Sequence, residues 1–446
     1  MNKIVVTVFL LSIFLYTCTS DHLPNPLDSK LKRVLNGISP SGNYESYILP
    51  ESDDYEGIPH DPSNPLTKEK VELGKLLFYE TGLALAPFYE QSKKTYSCST
   101  CHIPSAGFLP GRVQGIAEGG IGFGENGERR TMSGHYDEKE LDVQEVRAAS
   151  IMNVAFVTNT TWNGQFGGNN VNEGTEDLWG YDPFTEINFR GYYGLESQAI
   201  EGFTLHRMLI NEEVLDTFGY RPLFDAAFPD FPVEERYSET TGGFAISAYL
   251  RSLLANRAPF QRWLKGEETA MNDQQKRGAL LFFGKAGCFR CHQGPALNNP
   301  DRFYAIGVKD LHQTGESFNP SPQGKRNLGR GGFTRKAEDL YKFKIPQLYN
   351  LKETPCYFHG SSKLSLREVL NYFNEAVPEN QNVPQEQIAP QFRPLHLTEK
   401  EIEDLVVFLG DALYDQDYQR YVPNEVLSGY CFPNNDVASR FDLGCD

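Results

Sequence analysis

The chain alternates long irregular stretches with a few segments whose apolar residues recur at helical spacing. After an apolar run over residues 4–16, helical patterning begins at Thr67, with Val71, Gly74, Leu77 and Phe78 on one face. The spacing predicts an amphipathic helix over 244–264 and another from Asp273 through Phe283, which Gly284 stops. Ser365 with Glu368 and Thr398 with Glu401 read as capping boxes. They would open a helix over 366–373 and the final helix, which would bury Ile402, Leu405, Val406 and Leu409. No segment alternates convincingly with period two, so the expected fold is mainly α with long irregular loops.

The N-terminus changes the picture first. Asn2-Lys3 precedes an apolar run too short to span a bilayer comfortably, so residues 1–18 read as an export signal. Leu15-Tyr16-Thr17-Cys18 matches a bacterial lipoprotein cleavage box, with Cys18 lipidated. Tyr16 and Thr17 are bulkier than usual there, which leaves a simple signal peptide as the alternative. Residues 19–64, rich in Pro, Ser, Asn and Asp, read as a tether. No later segment is apolar enough to cross a membrane, so membrane contact would come through the lipid alone. The expected location is the periplasm or the cell surface.

At 446 residues the chain exceeds the usual single core, so two domains are expected. A net charge of −17 offers no basic footprint for nucleic acid. It would fit a basic or dipolar electron donor, or serve solubility alone.

Chemistry concentrates in a repeat: helix, then Cys-x-x-Cys-His, then loop, about 190 residues apart. Cys98-Ser-Thr-Cys101-His102 and Cys288-Phe-Arg-Cys291-His292 each supply two thioether cysteines and an adjacent iron-binding histidine. Two covalent c-type haems are therefore expected, with His102 and His292 on the irons. A zinc site would usually combine the two Cys pairs, and a redox dithiol expects a βαβ context that is missing. Three cysteines remain beyond these and Cys18: Cys431 and Cys445 could close a C-terminal loop with Cys356 free, other pairings staying open. The glycine-rich run from Gly115 to Gly124 has no Gly-Lys-Ser/Thr, so an irregular loop over the haem is expected there, not a phosphate cradle.

Around these motifs the chain resembles the bacterial di-haem cytochrome c peroxidase family, which includes the MauG enzymes. The resemblance rests on Leu73-Gly-Lys-Leu-Leu-Phe78, Arg277-Gly-Ala-Leu-Leu-Phe282, Cys291-His-Gln-Gly-Pro295, Phe343-Lys-Ile-Pro346 and Tyr357-Phe-His-Gly360, and covers roughly residues 65–415. It implies two cytochrome c-like haem domains, 65–255 and 256–420, followed by a tail, 421–446. The His102 haem would react with hydrogen peroxide. The His292 haem would take electrons from a small donor cytochrome or another redox protein. Trp162 of Thr160-Thr-Trp-Asn-Gly164 would relay electrons between them. A calcium ion would be held by Asn153, with carbonyls near Lys344 and Pro346. Members are often homodimers. A MauG-like oxidase acting on a protein or small organic molecule, and a plain electron carrier, are the alternative functions.

The chain departs from the family at both haems. Its pocket segment keeps Gln198, but the family's glutamate before Met208 is missing and His206-Arg207 stands in its place. A neutral imidazole beside a cation can move the peroxide proton, so His206 and Arg207 are the candidate catalytic pair. Glu196 and Glu201 are alternative acids. At the second haem the family supplies methionine or tyrosine where Phe373 stands, leaving Tyr372, His359, His396 or an open site. The aromatic insertion between Trp162 and Gln198 would either cover the crevice or dock a partner, or pack on itself.

Overall fold

Two glycines at matching places in the repeat set the framework. Gly74, in the helix Lys68–Tyr79, crosses the helix Glu239–Arg251 so closely that a Cβ would lie 1.8 Å from the Ala245 carbonyl oxygen. Gly278, in the helix Asp273–Phe282, crosses Glu399–Val407 in the same way, with a Cβ 2.1 Å from the Asp404 oxygen. Each half is thus built on a helix pair that only glycine lets approach, and each first helix leads to a Cys-x-x-Cys-His turn. Thr67, Asn272 and Thr398 cap these helices through their side chains. The box at Ser365 is one-sided, because the Glu368 carboxylate accepts from Leu364 N–H instead.

The computed structural model describes residues 25–315 and 317–445. The export signal and Cys18 lie outside the described residues. The fold is mainly α, with two antiparallel ribbons: Gly120–Ile121 with Thr131–Met132, and Asn299–Tyr304 with Phe343–Ile345. Among the described residues no helix is long and apolar enough to cross a membrane.

Three expectations need correction. The helix expected over 244–264 is two, Glu239–Arg251 and Pro259–Leu264, because Pro259 holds Ala258 extended and ends any helix before it. The tether is folded from residue 25 onward. The helix Pro26–Ile38 buries Leu31 and Leu35, and its Asp28 pairs with Lys276 at 2.7 Å while accepting from the Trp263 indole at 2.6 Å. Its apolar residues, spaced four apart, give it a face to bury despite the polar composition. The helix from Thr398 is not the last, since Val437–Leu443 follows in the tail. That tail returns to the first half: Ser97 Oγ donates to the Pro433 oxygen, Asp436 pairs with Arg130, and Asp442 accepts from the Phe123 and Gly124 N–H groups. A Cys431–Cys445 disulfide closes it, and Cys356 is free and buried.

The insertion packs on itself through buried Asn172, Asn188 and Trp179, and still contributes Tyr181, Phe184 and Thr185 to the wall of the central cavity.

Candidate active site

Both Cys-x-x-Cys-His motifs open onto one cavity of about 1370 Å³, above the roughly 300–1,000 Å³ of an ordinary ligand pocket. All six motif residues line it. His102 Nδ1 faces the Phe108 carbonyl at 3.2 Å, and His292 Nδ1 faces the Leu297 carbonyl at 2.9 Å. Each carbonyl fixes the Nδ1–H tautomer and leaves Nε2 as the metal-binding atom. Burial pushes both imidazoles down to about 4, so they are neutral at ordinary pH, the form that can bind a metal. Burial also pushes the Cys98, Cys101 and Cys288 thiols up to about 12, the opposite of an activated dithiol or zinc site. Apolar walls, with Phe78, Ile246 and Leu250 in the first half and Phe282, Leu370 and Leu409 in the second, complete a donor set that fits two haem c groups.

The polar residues facing His102 come from other elements. The helix Gly194–Leu205 presents Gln198 and Gly202 to the cavity and ends at His206, which also lines it. His206 Nδ1 lies 2.8 Å from Asp142 Oδ2, and the same oxygen accepts from Arg207 Nη2 at 2.7 Å. Arg207 Nε bonds Glu118, a buried carboxylate that also accepts from the Tyr136 hydroxyl at 2.7 Å. Burial alone would lower the His206 pKa, but the Asp142 charge and hydrogen bond raise it above the ordinary value. Asp142 is held below the usual carboxylate range because His206 and Arg207 outweigh its own burial.

The expected His206-Arg207 pair is therefore divided. His206 faces the cavity, whereas Arg207 adopts a left-handed turn (φ 55°), stacks on Phe88 at 4.7 Å and does not border the cavity. Two carboxylates from distant loops draw the guanidinium away. Glu196 is no alternative acid: it is buried, away from the cavity, in an ion pair with buried Arg251 at 2.6 Å. Glu201 also lies off the cavity.

Trp162 borders the cavity and donates its indole N–H to the Arg147 carbonyl at 2.7 Å, while the Arg147 N–H donates to the His359 carbonyl. At the second haem's far side Phe373 lines the cavity and Tyr372 does not. One helical step turns a side chain by about 100°, which packs Tyr372 against Val308 and Phe392 with its hydroxyl on the Ile306 carbonyl at 2.5 Å. The ligand role expected of Tyr372 is thereby corrected. His359 is also committed, with Nε2 on Asp310 at 3.0 Å and its ring stacked on Phe343 at 3.6 Å. His396 lines the cavity in a left-handed turn (φ 54°). Asn374 brackets it, bonding the N–H groups of Leu395 and Leu397.

A family model described as di-haem cytochrome c peroxidase matches residues 68–269. Over those residues the chain is similar to the di-haem cytochrome c peroxidase family. The methylamine utilization protein MauG of Methylorubrum extorquens is 29% identical over 79% of this chain and 81% of its own. The cytochrome-c peroxidase IdrP1 of Denitromonas iodatirespirans is 27% identical over 79% of this chain and 83% of its own. A solved MauG-like protein associated with microbial copper homeostasis shares the fold, with a TM-score of 0.56, 24% identity, and coverage of 83% of this chain and 95% of that one. In keeping with these peroxidase relatives the chain is an oxidoreductase, and the family it resembles carries two haem c groups.

At the cation position expected of this family, Asn153 is buried with its Oδ1 accepting from Ala255 N–H at 2.9 Å, and the Pro346 carbonyl lies 3.1 Å from His292 Nδ1. Each oxygen keeps a second lone pair, and amide and carbonyl oxygens suit a hard cation. The carbonyl expected near Lys344 is a separate group from its side chain, which reaches the Asn159 carbonyl and whose ammonium burial pushes down to about 7. Sequence reasoning missed Asp142 and Glu118. They lie 64 and 89 residues from the side chains they hold, in loops without periodicity.

Proposed function

We propose that the protein reduces hydrogen peroxide to water at the His102 end of the cavity, drawing electrons that enter at the His292 end. The observation that carries this reading is His206, on the cavity wall with Nδ1 tied to Asp142. Cys98, Cys101 and His102 would hold one haem, and Cys288, Cys291 and His292 the other. Bound there, the haems would supply the redox chemistry for the balance H₂O₂ + 2e⁻ + 2H⁺ → 2H₂O.

The protein's own work is proton transfer and positioning. Neutral His206 takes the proton of one peroxide oxygen at Nε2, and Asp142 stabilises the imidazolium that forms. His206 then returns the proton to the other oxygen as it leaves as water. The Gln198 amide orients peroxide, and apolar walls limit competing water. Trp162 serves the electron path, and its seat on the wall shared by both motifs supports that role. His396 would be the side chain left to bind the second haem, since it lines the cavity while Tyr372 and His359 are committed elsewhere. Calcium at Asn153 and the carbonyls near Lys344 and Pro346, export, and anchoring through Cys18 belong to the same reading.

The test is oxidation of a reduced small cytochrome or dye by peroxide, using the protein with both haems in place. Two electron equivalents per peroxide are expected, and His206→Ala should slow the reaction by about 10²- to 10⁴-fold. Failure to oxidise any such donor overturns the reading.

A further inference from the structure

We infer that Asp142 is the positioning residue of the peroxide site: it holds His206 in the Nδ1–H tautomer, so that Nε2 faces the cavity with a free lone pair. The inference rests on His206 being the proton carrier. An imidazole is a base at only one nitrogen, and the acceptor on the other decides which. Asp142 Oδ2 is that acceptor at 2.8 Å, while the His206 side chain borders the cavity that both haem motifs line.

The surroundings commit the carboxylate to this task. Arg207 donates to the same oxygen at 2.7 Å, which keeps Asp142 ionised and leaves the transferred proton on His206. Arg207 is itself held by Glu118, and Glu118 by the Tyr136 hydroxyl and the Phe88 N–H. The charged and titratable groups facing His206 are thus Asp142 and Arg207, with His102 beyond and the Tyr96 hydroxyl on the His206 carbonyl. The backbone around Asp142 does not depend on its side chain. Asp142 N–H donates to the Glu118 carbonyl at 3.1 Å, and its carbonyl accepts from Ala117 N–H at 2.9 Å. Asp142→Asn therefore changes the partner of His206 without removing what seats the loop. In that variant Arg207 claims the amide oxygen, the amide N–H₂ turns to His206 Nδ1, and the imidazole proton moves to Nε2.

The experiment measures the rate of peroxide reaction with the haem-loaded, oxidised protein across pH for wild type, D142N, H206A and the double variant. D142N is expected to lose about 10²- to 10⁴-fold at its plateau, as a base loses when its tautomer is wrong. The low-pH limb, set by protonation of His206, should move to lower pH when the neighbouring negative charge is gone. The double variant should be no slower than H206A, because two residues acting as one unit do not add. Full wild-type rate and pH profile in D142N beside a slow H206A overturns the inference, as does a double variant with the product of both losses. An unimpaired H206A would instead overturn the proton-carrier reading. If D142N does not fold, Asp142→Ala is read by the same comparisons.

Discussion

The two ends of the cavity share a scaffold and differ in what faces the iron position. At both, a glycine-pinned helix crossing leads to Cys-x-x-Cys-His, and a main-chain carbonyl a few residues on orients the histidine. Across from His102 stands His206, wired through Asp142 and Arg207 to Glu118. At the His292 end the wall carries Phe373, Leu366, Leu370 and His396, with Tyr372 turned away and His359 bound to Asp310. The Cys-x-x-Cys-His motif is repeated while its polar surroundings are not, because the side chains across the cavity come from elements outside the repeat.

The largest stability effect expected beyond the peroxide site itself is that of Glu196→Gln. It would strip buried Arg251 of its charge partner and cost about 3–5 kcal/mol, read as a lowered midpoint of thermal unfolding. The rate per folded molecule should stay near wild type. A large loss of rate with intact stability would return Glu196 to the acid role and weaken the contrast built on His206. Next come the glycine crossings: Gly74→Ala and Gly278→Ala should each cost about 1–3 kcal/mol by forcing their helix pairs apart. Similar penalties in denaturant unfolding would support a common scaffold, and a penalty at only one crossing would break the parallel.

The smallest effect is expected at the second haem's wall. Tyr372→Phe should cost about 1 kcal/mol for its lost hydrogen bond and leave the haem absorption spectrum unchanged. His396→Ala should alter the spectrum of the second haem alone. A spectral change in the tyrosine variant, with none in the histidine variant, would reverse that assignment.

Much of this was legible along the chain. Both Cys-x-x-Cys-His motifs and the helices leading to them depend on spacings of a few residues, which primary structure records directly, whereas the Cys431–Cys445 pairing was one open option that the structure settled. The family order was legible for the same reason. Polar composition hid the 26–38 helix, since the four-residue repeat of its leucines was outweighed by Pro, Ser and Asn around it.

The sequence by itself determined the two Cys-x-x-Cys-His motifs on which the haem reading rests, because covalent attachment needs only a short local motif. Tertiary structure alone decided which carboxylate holds His206, that Arg207 turns to Glu118, that Tyr372 faces the core, and that the tail straps the first motif. Those outcomes join residues that lie on different loops or on one side of a helix rather than the other. Which partners meet there depends on packing and on the pull between buried charges, and neither leaves a periodic trace in the chain.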